Sequence, residues 1–83
     1  MPRYFFHIHN GTGLTEDREG RELPDLAAAR AEAVSGIRSI VSEEALEGQL
    51  DLEGRIEIRD GSERTLLVVG FAEAFKISPR PSA

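Results

Sequence analysis

Polar and apolar positions change period three times along this chain. From Arg3 to His9 they alternate, with Tyr4, Phe6 and Ile8 on one side and Arg3, Phe5, His7 and His9 on the other, the period of a β-strand. Asn10-Gly11-Thr12-Gly13 then supplies residues that accept positive φ cheaply, the signature of a hairpin turn. Leu14 to Asp17 reads as the short, polar returning strand. Asp17 to Glu22 reads as a loop or a frayed strand end. From Leu26 the period lengthens. Leu26, Ala29, Ala33, Val34, Ile37, Ile40 and Val41 fall on one stripe of a helix. Asp25 is placed to cap its first turn by accepting from the amide of Ala27 or Ala28, and Pro24 blocks an earlier start. Gly48 fits the left-handed position that ends the helix. Gly36, in mid-helix, costs roughly 1 kcal/mol against alanine, either for a close approach to a strand or as a tolerated loss. The alternation returns in Arg55-Ile56-Glu57-Ile58-Arg59, followed by a second hairpin turn at 60–63. Thr65 to Phe71 is apolar on both faces, with Leu66 and Val68 on one side and Leu67, Val69 and Phe71 on the other. Leu50 and Leu52 are expected to close one end of the core, and Phe75 to cover a sheet edge from a short turn or helix over 72–77.

The order strand, strand, helix, strand, strand predicts an α+β two-layer sandwich of one helix on a four-stranded, mainly antiparallel sheet. Chain direction favours strand order 2-1-3-4, with 2-1-4-3 as the alternative because the last strand is too apolar for an ordinary edge. Residues 1–77 are expected to form one domain and 78–83 a disordered tail.

Composition narrows the function. A chain of 83 residues is one small domain. It has no cysteine and so no thiolate metal site or disulfide. It lacks a long apolar run, and its first seven residues lack the apolar stretch of a signal peptide. Neither a membrane nor a secretory route is therefore expected, and the cytoplasm is. A net charge of -5, with Lys76 the single lysine, argues against nucleic acid as a partner. No nucleophile elbow, phosphate loop or dinucleotide fingerprint is present, and the carboxylates all read as exposed, so no cofactor and no enzymatic activity are expected. The acidic stretch 17–22 does not follow the ligand spacing of a calcium loop.

His7 and His9, two apart on a strand, are candidate metal ligands that still need partners. Phe5, Leu66, Val68 and Phe71 are candidate interface residues. A helix covers one face of a single sheet, and large side chains on the other face would form a patch of the kind that marks an interface.

The opening Met1-Pro2-Arg3-Tyr4-Phe5-Phe6-His7 is followed by Glu16-Asp17, Gly20, Leu23-Pro24-Asp25-Leu26 and Ala28-Ala29-Arg30-Ala31-Glu32-Ala33. This pattern resembles a family of small bacterial proteins described as a domain of unknown function, and the resemblance runs to Phe71. It implies a cytoplasmic bacterial protein and carries no activity. A fainter similarity links the hairpin, Pro-Asp loop and Ala-rich helix to antitoxin-type domains, without their basic DNA-binding segment. Together these features lead to a small non-enzymatic interaction or regulatory module whose partner is a protein, possibly a second copy of itself. The alternatives are a metal- or small-ligand-binding protein using His7 and His9, and an antitoxin-like regulator.

Overall fold

A computed structural model describes residues 1–11 and 13–76. It contains strands β1 (Arg3–Asn10), β2 (Gly13–Thr15) and β3 (Arg21–Glu22), helix α1 (Leu26–Leu46), strands β4 (Arg55–Arg59) and β5 (Thr65–Gly70), and a 3-10 turn at Phe71–Ala74. The sheet runs β2-β1-β4-β5, every pairing antiparallel, with β3 also paired to β1. One helix on a mostly antiparallel sheet is the expected α+β class. The difference is a fifth strand. Segment 17–22 ends in β3, which sets Arg3 opposite Glu22 and Tyr4 opposite Arg21. The four anticipated strands lie in the first of the two expected orders, not as 2-1-4-3.

Helix α1 begins where the chain chemistry places it. Asp25 has extended backbone, and its carboxylate accepts from the Ala28 amide at 2.8 Å, satisfying a donor that has no partner in the first turn. At the other end Gln49 N–H donates to the Glu44 carbonyl at 2.9 Å and Gly48 N–H to Ala45 at 3.0 Å. Gly48 sits at φ +84°. These are the two bonds of a Schellman ending, which needs the left-handed residue that glycine supplies.

The stripe Ala29, Ala33, Ile37 and Val41 is buried against Tyr4, Ile56, Ile58 and Val69. Register aligns these layers: Phe6 faces Ile58 and Ile8 faces Ile56 across β1–β4, while Ile56 faces Val69 and Ile58 faces Leu67 across β4–β5. Gly36 makes no tight approach, since a Cβ there would lie 3.9 Å from Ile56 Cδ1, an ordinary contact. Its cost is a tolerated one.

After β5 the chain turns into the 3-10 turn rather than extending the strand. Phe71 N–H donates to the Gly54 carbonyl at 2.8 Å, and Phe71 and Ala74 are buried in the core. The Arg38 Nε donates to the Ala74 carbonyl at 2.7 Å, fastening helix to turn. Phe75 packs against the same core. Of the two leucines expected to close the core's end, only Leu52 does so; Leu50 is 69% exposed. The expected tail 78–83 lies outside the described residues. Among those described, no helix is long and apolar enough to cross a membrane.

Candidate binding cleft on the open sheet face

The face of the sheet turned away from α1 is polar. Alternation puts Phe5, His7 and His9 of β1 there, opposite Arg59, Glu57 and Arg55 of β4 respectively. Val68 of β5 lies opposite Glu57. The chain between β2 and β3 and the turn between β4 and β5 stand on two sides of this face and enclose a cleft of about 310 Å³.

Asp17 builds one wall. β1 has a gap on its outer edge, because β2 ends opposite Ile8 and β3 begins opposite Tyr4. The Phe6 amide falls in that gap and donates to the Asp17 carboxylate at 3.0 Å. The same carboxylate accepts from the Gly20 amide at 3.0 Å and the Glu19 amide at 3.2 Å. The Asp17 amide in turn donates to His7 Nδ1 at 3.2 Å. Burial alone would raise the Asp17 carboxyl, but the three amides, helped by His7, hold it below its ordinary value. The chain closes tightly here: Gly20 sits at φ +69°, and a Cβ on it would come within 2.8 Å of the Phe5 ring and 2.9 Å of the Tyr4 carbonyl. Phe5 is half-buried beneath this loop.

Glu57 organises the centre. It accepts from the Thr65 hydroxyl, from Arg59 at 2.9 Å and from His9 Nε2 at 3.3 Å. Thr65 and then Arg59 pull its carboxyl down, partial burial opposes them, and His9 adds to the fall, leaving it at about 2. Its side chain is 15% exposed. The expectation that every carboxylate is solvated therefore fails at Glu57 and Asp17. In the turn, Asp60 accepts from the Ser62 and Arg64 amides at 2.8 and 3.0 Å, while Glu63 adopts a left-handed φ of +64°.

His7 and His9 do share this face, as alternation predicts, but each is engaged separately, His7 with the loop and His9 with Glu57. Among the described residues no three His, Cys, Asp or Glu side chains are grouped so as to hold a metal ion. The four interface candidates do not assemble. Phe71 is 1% exposed, and Leu66 packs against the core. The reason lies in β5: Ile58 pairs with Leu67 but Arg59 pairs with Thr65, so Leu66 is the additional residue of a bulge, which re-aims a side chain. Phe71 falls on the same side as Leu67 and Val69, which is the side turned to the core. Phe5 and Val68 remain on the open face, Val68 45% exposed, with the Glu57 network between the strands that carry them. Sequence reasoning missed Asp17, Glu57 and Arg59. Glu57 and Arg59 were visible only as polar positions of an alternating strand, and nothing in the local sequence showed that Thr65 would cross to meet them.

One helix over an antiparallel sheet, with a polar cleft on the uncovered side, defines a small α+β domain. The chain belongs to the family described as Domain of unknown function (DUF6894), which matches residues 3–72. No curated protein and no solved structure matches it.

Proposed function

We propose that the protein is a small non-enzymatic interaction module of the cytoplasm that works as a homodimer joined through β5. The edge of β5 carries this reading. Among the described residues β5 pairs only with β4. Natural edge strands are blunted by charge, proline, shortness or a bulge. The opposite edge is: it consists of three-residue β2 and two-residue β3 with charged neighbours. By contrast β5 offers six residues, Thr-Leu-Leu-Val-Val-Gly, with neither charge nor proline, and its bulge at Leu66 leaves the stretch Leu67 to Val69 regular.

The strand is also self-complementary. A two-fold axis through Val68 sets Val68 against its own copy on the open face. It sets Leu67 of each copy against Val69 of the other on the helix face, where both already point toward α1. Equal parity keeps both helices on one side, so the two sheets join into one. Such a closed isologous contact is the commonest form of dimer. It would cover Val68, the most exposed large apolar side chain on β5. The non-enzymatic part of the proposal is supported by the titratable groups of the cleft. Asp17, Glu57 and His9 are committed to hydrogen bonds within the protein, and His7 is held through Nδ1.

Sedimentation equilibrium over a concentration series tests the proposal. The expected result is a dimer for the wild-type protein and a monomer of unchanged circular dichroism for Val68→Lys, which places charge on the two-fold axis. A wild-type protein that stays monomeric at about millimolar concentration, weaker than any affinity a working dimer needs, overturns it.

A further inference from the structure

The cleft on the open face holds more acids than bases, yet the acids at its centre are already filled while donors beside them are not. Asp17 is filled by three amides, Glu57 by Thr65, Arg59 and His9, and Asp60 by two amides. The remaining acids on its lining, Glu16 and Glu63, are exposed to water.

The donors are differently placed. Arg59 gives one terminal nitrogen to Glu57; its Nε is buried without a hydrogen-bond partner and out of a ligand's reach, but the guanidinium is partly exposed and lines the cleft, leaving its other terminal nitrogen to donate. His7 accepts from the Asp17 amide through Nδ1, so the neutral ring carries its proton on Nε2 and presents a second donor. Arg18 lines the same cleft and makes no ion pair among the described residues. Phe5 and the half-exposed Leu14 add apolar surface beside these groups. A volume of about 310 Å³ is at the small end of ligand sites, large enough for one short molecule.

We propose that this cleft is a binding site for a small carboxylate with an apolar body, its carboxylate received by Arg18, His7 and Arg59 and its apolar part lying on Phe5 and Leu14. A carboxylate is the acceptor that matches a guanidinium and an imidazole donor together, and charge-assisted bonds of this kind are the stronger ones. A cationic ligand would find the central carboxylates already paired. This site is separate from the β5 edge, and its occupancy does not depend on the dimer.

Titration of the ¹⁵N-labelled full chain with hexanoate, with hexylamine and hexanol as controls of equal length, tests the site. N-acetyl-leucine, which mimics a chain terminus, is a second carboxylate arm. Whichever carboxylate binds more tightly identifies whether the acid is a free aliphatic one or a peptide end. The expected result is saturable shifts at Phe5, His7, Leu14 and Arg18 with one or both carboxylates and none with the amine. Exposed Arg18, replaced in Arg18→Ala, should weaken binding about fivefold without loss of fold. Arg59→Lys keeps a charge beside Glu57 but removes the second terminal nitrogen of the guanidinium, and should weaken it as well. Equal response to hexanol or hexylamine, shifts located elsewhere, insensitivity to Arg18→Ala, or no shift with either carboxylate overturns the proposal.

Discussion

Asp25 and Gly48 do at single-residue scale what their chemistry demands, and both were legible in the sequence because capping depends only on local order. Asp25→Ala removes the bond to the Ala28 amide and should lower stability by about 1 kcal/mol, read as a shift of the urea midpoint at constant slope. Gly36→Ala should do the reverse. The added methyl meets only Ile56 Cδ1 at ordinary distance, so the helix gains about 0.5–1 kcal/mol; a lower midpoint would mean that α1 sits closer to β4 than described. Glu57 was not legible, since its bond from Thr65 depends on a bulge in another strand. Its folded pKa of about 2 lies below the ordinary 4.5. A depressed carboxyl contributes stability that is present above the unfolded value and lost as pH falls. The thermal midpoint should therefore drop as pH descends from about 4.5 toward 2, with Asp17 contributing in the same direction. Glu57→Gln should flatten that slope; an unchanged slope would assign the acid sensitivity to other groups.

Elements were read correctly where a long period supports them and incorrectly where a strand is brief or broken. The 21-residue helix and the alternating β1 and β4 follow from patterns that no neighbour overrides. β3 has two polar residues, too few for any period, and exists because Asp17 folds its loop back onto β1. Gly20 is the residue that permits this. Gly20→Ala should cost on the order of 1–3 kcal/mol, because it combines left-handed backbone with contacts below 3 Å to Phe5 and Tyr4. Loss of exchange protection at the Leu23 amide, which donates to the Pro2 carbonyl, would accompany it; retained protection would show that the loop docks without glycine. β5 was misread for a related reason. Counting by twos through Leu66 crosses the bulge, so Leu66 packs against the core instead of sharing the open face with Val68; Phe71 keeps the side of Leu67 and Val69, and that side is the buried one.

For the whole molecule, the sequence displayed one layer fully and the other surface hardly at all. Helix on sheet follows from two apolar stripes that must meet. The cleft does not, because its walls come from segments 17–20 and 60–63, which approach each other only after the sheet has formed. The excess of apolar residues in the last strand, read as a patch on the open face, resolves into core packing plus one exposed valine at an uncharged edge. That edge is the feature by which the account stands or falls. In a sample mixing ¹³C,¹⁵N-labelled with unlabelled chains, isotope-filtered NOE spectroscopy reports only contacts between copies. Antiparallel pairing about Val68 predicts cross-peaks from Val68 to Val68 and from Leu67 to Val69 of the other copy, since directly opposed residues bring their Cα atoms to about 4.5–5.5 Å. A spectrum with no such peaks at about millimolar protein, or with peaks confined to other elements, would contradict it.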